Sequence, residues 1–182
     1  MTTEPVSLPL GTSWMFTRKH FLDGRYRVDI QESLVRLAGE LPPRKLSDLE
    51  GRYRTATLYA LPDADGYAVV ARNFPEDARQ CALLEHVGDE WHRIGVLDSW
   101  GLYINEAHRG QGLGARLAYA GMVLCNEDTT DYALYSEAGY RAFSAAHKLA
   151  VAAALKAGAA VPQKVLEDYP DLSAARASSP RL

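Results

Sequence analysis

The chain has 182 residues, 47% of them hydrophobic and 24% charged, with a formal net charge of −3 and a pI near 5.9. That length supports a substantial core without disulfide or metal staples, and the composition is that of an ordinary soluble globular protein. An acidic balance argues against a protein that coats nucleic acid, leaving room only for a local basic patch.

Cys81 and Cys125 stand far apart, with no Cys or His at metal-ligand spacing, so reduced thiols and no metal are expected. Met1 to Ser13 lacks the basic start and apolar run of a signal peptide. The longest Ala-rich run, Leu149 to Ala160, is interrupted by Lys156 and Gly158. A cytoplasmic protein without a membrane partner is the expectation.

In chain order, Met1 to Pro43 offers one clear pattern. Ile30, Leu34, Val35 and Leu37 share a helical face, ended by Gly39 and Pro42-Pro43. Arg52 to Leu61 and Gly66 to Asn73, joined by Pro62-Asp63-Ala64-Asp65-Gly66, predict an antiparallel hairpin. Gln80 to Val87 and Trp91 to Leu97 predict a second, around Gly88-Asp89-Glu90. Trp100 to Ile104 is one more apolar strand, either separate or continuous with Trp91 to Leu97 through a bend at Asp98-Ser99.

Gly112 to Cys125 reads as a helix with Leu113, Leu117, Ala120 or Gly121, and Leu124 on one stripe, followed by a polar loop from Asn126 to Asp131. Ser136 is the expected N-cap of a long helix closed by Gly158, with Ala142, Ala145, Ala146, Ala150 and Ala153 as a close-packing face. A short helix starts at Pro162 and ends before Tyr169-Pro170. Residues 1–172 read as one domain and the Ser/Ala/Arg-rich 173–182 as a mobile tail. Strands first and helices afterwards give an α+β class: a mixed, mostly antiparallel sheet with flanking helices and a helix-rich C-terminal part.

The stretch from Leu102 to Gly114 is the most informative. It reads as a strand end (Leu102, Tyr103, Ile104), a polar turn, and the loop Arg109-Gly110-Gln111-Gly112-Leu113-Gly114 opening a helix. Glycines at such a junction let backbone N–H groups approach an anion, and the helix adds unpaired N–H groups and the positive end of its dipole. The glycine spacing is not that of a dinucleotide fingerprint, and no Gly-Lys-Ser/Thr is present for a Walker loop. A glycine-rich turn with no ligand is the plain alternative.

The loop resembles the central motif of the GNAT N-acetyltransferase superfamily, Arg/Gln-x-x-Gly-x-Gly/Ala after a strand, which Arg109 to Gly114 matches at every fixed position. Leu102-Tyr103-Ile104 is similar to the family's strand end before that loop. The resemblance covers about Gly101 to Leu124 and implies a GNAT-like sheet with acetyl-CoA as co-substrate. Main-chain N–H groups of Arg109, Gly110, Gln111, Gly112, Leu113 and Gly114 would wrap the pyrophosphate. The backbone of Leu102, Tyr103 and Ile104 would pair with the pantetheine arm. Arg109 would add charge at the rim, or remain a solvated loop arginine.

The resemblance also implies a base and an acid. Many family members carry a Glu where this chain has Trp100 and Gly101, so Asp98 and Glu106 are the nearest candidate bases. Leu134 to Tyr140 is similar to the family's "LYEKAGF" segment, which makes Tyr135 the candidate acid towards the departing thiolate. The family places a strand before that segment and another after it, and here only Asn126 to Asp131 and then helix are available. Either the C-terminal half is reorganised as helices or a partner subunit, as in a homodimer, completes the sheet.

His86, His92, His108 and His147 do not cluster in sequence, and Cys125 has no nearby base. The reading is an N-acetyltransferase acting by direct attack of an amine, from a small molecule or a protein, on acetyl-CoA. A non-catalytic module that binds acyl-CoA or a protein partner is the alternative. Acylation of RNA amines is disfavoured by the acidic pI.

Overall fold

The computed structural model describes residues 4–23, 25–27, 42–49, 57–71, 81–98, 101–124 and 133–178. Its strands are β1 (Val6–Ser7), β2 (Arg25–Arg27), β3 (Arg44–Lys45), β4 (Leu58–Ala60), β5 (Tyr67–Ala71), β6 (Cys81–Val87), β7 (Glu90–Asp98), β8 (Gly101–Ile104) and β9 (Ala133–Tyr135). The helices are α1 (Arg18–Leu22), α2 (Leu113–Leu124), α3 (Glu137–Lys156), α4 (Gln163–Leu166) and α5 (Pro170–Ser178).

Among the described residues, seven strands make one sheet in the order β1-β4-β5-β6-β7-β3, with β8 also paired to β7. All its pairings are antiparallel except β1 with β4. A mixed α+β fold with a mostly antiparallel sheet is therefore present. No helix among the described residues is long and apolar enough to cross a membrane.

Both predicted hairpins form. In the second, Val87 pairs with Glu90, so the turn is only Gly88-Asp89, with Gly88 at φ +62°. A glycine at the first central position of a two-residue turn matches the right-handed twist of the strands it joins. The open question at Asp98-Ser99 is answered as a reversal. β8 runs antiparallel to β7, with Asp98 opposite Gly101 and Gly95 opposite Ile104.

The alternation of β5 and β6 separates two cores. Val69, Cys81 and Leu83, with Ile94, Leu97 and Ile104, pack beneath α2 and α3, meeting Leu113, Leu117, Phe143 and Ala146. Ala68, Val70, Ala82 and Leu84 face the other way, against Leu49 of the short 3-10 turn Leu46–Leu49. Full burial of one side chain such as Leu117 or Leu83 stabilises by about 1.5–3 kcal/mol.

Helix ends follow local chemistry. Ser136 accepts the N–H of Gly139 at 3.2 Å, as its predicted cap. At the other end Gly158 (φ +74°) donates to Leu155 O and Ala159 donates to Ala154 O, the paired bonds of a Schellman motif. Of the Ala face, Ala146 and Ala150 are buried, while Ala145 is exposed and belongs to the opposite side of the helix.

Two expectations change. The polar stretch before Tyr135 is followed by a strand after all, because Ala133–Tyr135 pairs in parallel with Arg25–Arg27. The chain after α2 is therefore not helices alone. Residues 173–178, expected as tail, continue α5, where Ser173 Oγ donates to Leu166 O at 3.0 Å. The helix expected over Ile30 to Leu37, the loop Asn126 to Asp131, Trp100 and Cys125 lie outside the described residues.

His147, on α3, ties the N-terminal segment to Tyr169, just ahead of α5. It is fully buried and stacks on Phe21 at 4.6 Å. Its Nε2–H donates to Ser13 O (3.1 Å) and Phe16 O (3.0 Å), which leaves Nδ1 to accept from the Tyr169 hydroxyl at 2.7 Å. In that arrangement the ring is neutral, since a charged one would have to turn Nδ1–H towards the Tyr169 oxygen, which burial opposes. Burial holds the His147 pKa below its ordinary 6.5, against the opposing pull of the two carbonyls, and pushes the Tyr169 phenol up to about 12.

Two outcomes are expected. As pH falls below 6.5 the unfolded chain takes up a proton that folded His147 refuses. Stability is therefore complete above that pH and declines below it by up to about 1.4 kcal/mol per unit. Denaturant midpoints from pH 7.5 to pH 5 read this slope, and His147→Gln should flatten it.

At Gly95 an added Cβ would meet the Tyr103 carbonyl oxygen at 2.8 Å and Ile104 Cδ1 at 2.9 Å. Gly95→Ala should then cost about 1–3 kcal/mol, read as a lowered denaturant midpoint at unchanged m-value.

Candidate functional site

The β7–β8 hairpin sets the site. Leu83 pairs with Gly95 but Leu84 with Arg93, so Ile94 is an extra residue, a bulge that turns the end of β7. Beyond it, Leu97, Leu102 and Ile104 lie in the core under α2. Asp98 and Tyr103 fall on the opposite face by alternation.

Asn105 N–H donates back to Ile94 O at 2.7 Å. The N–H and C=O groups of Leu102 and Ile104 therefore point to the outer edge of β8, where no strand pairs among the described residues.

From that edge the chain turns through a short 3-10 segment, Glu106–His108, capped by Asn105 Oδ1, which accepts Ala107 N–H at 3.1 Å. It then enters the loop. Gly110 (φ +79°) and Gly112 (φ +72°) occupy left-handed backbone conformations that glycine adopts without strain.

The first backbone bond of α2 runs from Arg116 N–H to Gly112 O at 3.3 Å. Ahead of it, the N–H groups of Gly110 to Ala115 have no carbonyl partner among the described residues. They are gathered at the positive end of a 12-residue helix. Space beside Gly110 is open for 4 Å around where a Cβ would stand.

The residues singled out in sequence divide into different roles. Gly110, Gln111 and Gly112 are exposed and present backbone N–H groups. Leu113 is buried, so its side chain is core and only its N–H belongs to the loop. Gly114 is helical and faces Leu102 Cδ2 (3.5 Å) and Ala142 Cβ (3.7 Å). A Cβ there would make only ordinary van der Waals contact with α3 and β8.

Arg109 is exposed at the rim, and its Nε donates to Ile104 O at 3.0 Å, on the outer edge of β8. Tyr103 lies over Gly101, its phenol pKa raised by burial and then by Asp98.

The candidate catalytic groups are not brought together. Asp98 Oδ1 accepts Gly101 N–H at 3.1 Å and closes the β7–β8 hairpin, on the face away from α2. Glu106 is exposed on the 3-10 turn. Tyr135 ends β9, half-buried, with its ring tilted against Phe143 at 4.7 Å.

Two features of the loop were not visible in sequence. Arg116, one turn into α2, folds back over the loop. Its Nε donates to Pro62 O (2.8 Å), Nη2 to Asp63 O (3.1 Å) and Nη1 to Gly112 O (3.4 Å). All three acceptors are neutral carbonyls, and no carboxylate among the described residues neutralises the guanidinium. It is a fixed positive charge beside the unpaired N–H groups.

The other feature is a polar wall. His108 Nε2 meets Glu85 Oε2 at 3.0 Å, with Nδ1 towards Asn105 Oδ1 at 3.4 Å. Tyr67 donates to Gln111 Oε1 at 3.4 Å, and its phenol pKa is raised by burial and then by Glu85. Arginine in an Ala/Leu-rich helix was the only advance sign of either. No group of three or more His, Cys, Asp or Glu suited to a metal occurs among the described residues.

This arrangement can hold an anion by backbone donors, a helix dipole and one guanidinium, and can pair an extended ligand along β8. Gly110→Asp tests it, since aspartate tolerates a left-handed backbone and finds open space there. The protein should stay folded while affinity for a pyrophosphate anion, read by calorimetry, falls at least about tenfold; Arg116→Met should weaken it similarly. Compared with known protein families, with curated proteins and with solved structures, the chain matches none.

Proposed function

We propose that the chain is an acyl-CoA-dependent N-acyltransferase that moves an acetyl group from acetyl-CoA to an amine. The observation that carries this reading is a single run of backbone. The outer edge of β8, unpaired by any strand among the described residues and with only Ile104 O taken by Arg109, leads within a few residues to the unpaired N–H groups of Gly110 to Ala115 beside Arg116. CoA has the complementary shape: an extended amide-bearing arm joined to a pyrophosphate. The resemblance of Arg109 to Gly114 to the GNAT loop supports the same reading, as does an antiparallel run of strands ending in β8.

In this reading the acceptor nitrogen attacks the thioester carbonyl, the C–S bond breaks, and the amine proton leaves through a carboxylate or water. An outward N–H of β8 polarises the carbonyl, and Tyr135 returns a proton to the CoA sulfur. Most of the acceleration comes from holding the two reactants in line, so no covalent enzyme intermediate is needed.

A second reading, binding without turnover, is favoured by Asp98. This carboxylate, at the end of β7, spends an oxygen on Gly101 N–H and faces away from α2.

Calorimetry with acetyl-CoA, followed by thiol release on a panel of small amines and peptides, separates the two. Turnover lowered at least about tenfold by Tyr135→Phe, with acetyl-CoA affinity kept, is the expected result. Binding with no thiol release on any amine establishes the second reading, and absence of CoA binding overturns both.

A further inference from the structure

We propose that the cavity between α1, α3 and α5 is a binding site for a free α-amino acid, held by its carboxylate at Arg18 and its ammonium at Asp168. The cavity measures about 520 Å³, within the range of small-molecule sites, about 300–1,000 Å³. It is separate from the glycine loop. The cavity is lined by the side of α3 that carries Arg141, Ser144 and Lys148, whereas Ala142 meets Gly114 on the side towards α2.

The charges around it select the ligand. Arg141 pairs with Glu137 and Lys148 with Asp171, each at 2.8 Å, so these four neutralise one another at the rim. Arg18 and Asp168 are left. The Arg18 guanidinium donates from Nε (3.1 Å) and Nη2 (2.8 Å) to one acceptor, the Ser144 hydroxyl. Asp168 Oδ2 accepts the main-chain N–H of Arg18 at 2.7 Å. Among the described residues no ion pair within 4.0 Å neutralises either group.

Each charge is thus held in place by a neutral partner and keeps hydrogen-bonding capacity to spare. Arg18 has further N–H donors, Asp168 a second oxygen, and Ser144, already accepting twice, its own O–H. The floor is Tyr169, whose hydroxyl is turned inward to His147.

A simple anion at Arg18 would sit beside the Asp168 carboxylate, and a simple cation at Asp168 beside the guanidinium. A molecule carrying both charges a few ångströms apart satisfies both groups at once, and an α-amino acid is the smallest common one. The rim, with both signs already paired, suits an uncharged polar side chain.

The test uses the full chain without CoA and L-glutamine as the probe, with acetate and methylammonium as single-charge controls, followed by amide chemical shifts or calorimetry. Saturable glutamine binding is expected, with each control at least about tenfold weaker. Arg18→Gln keeps a donor to Ser144, and Asp168→Asn keeps an acceptor for Arg18 N–H, so both variants should retain the wild-type melting temperature. Each should weaken glutamine at least about tenfold. Gly110→Asp should leave glutamine binding unchanged, which separates this site from the CoA reading. The proposal is overturned if glutamine fails to bind at millimolar concentration, if acetate or methylammonium binds as tightly, or if neither variant alters affinity.

Discussion

The register of β7 against β8 decides where every part of the candidate site lies. With Gly95 opposite Ile104, the side chains of Leu102 and Ile104 go under α2, and their backbone groups face the outer edge. A slip of one residue would exchange both sets, because side chains alternate with period two. Tyr103 would enter the core and the edge would present different donors. The bare Cα of Gly95 leaves room for the Tyr103 carbonyl. Gly121 does the same one layer up, where a Cβ would come within 2.2 Å of Leu97 Cδ2. Close approach of β8, β7 and α2 is a single packing problem solved by absent side chains.

Around that frame the electrostatics are prepared in advance. A helix N-terminus carries a partial positive charge of about half a unit, effective only within the first turn. Arg116 adds a whole charge at the same place, and its position is fixed by carbonyls that leave the charge uncompensated. Arg109, the residue that the loop pattern emphasises, instead braces the end of β8. Glu85 stands one residue beyond the core on β6 and anchors the loop through His108. A carboxylate so near an anion site is tolerable because an imidazole and a phenol lie against it, not the open face of the loop.

Much of the fold was legible because it is written between neighbours in the chain. Gly88-Asp89 and Pro62 to Gly66 announce their hairpins, and Ser136 and Gly158 announce the ends of α3. The glycines at 110 and 112 need their left-handed conformations wherever the loop is placed. Pairings between distant segments were not legible. Nothing in Ala133-Leu134-Tyr135 says that Arg25–Arg27 is its partner, and an apolar triplet before a capped helix is as consistent with a loop as with a strand. Nor does Asp98-Ser99 distinguish a bend from a reversal, since both use the same turn residues. His108 looked isolated because its partner, Glu85, lies on another strand.

The sequence by itself therefore determined the class of elements, their caps and turns, and the presence of a glycine loop able to present N–H groups to an anion. Those features depend on backbone preferences within a few residues. Tertiary structure decided which side chains meet: Arg116 with Pro62 and Asp63, Glu85 with His108, Arg18 with Ser144, Asp98 with its own hairpin. The physical reason is that hydrogen bonds and charge pairs act over a few ångströms of space, while the residues that form them are brought there by packing between elements remote in the chain.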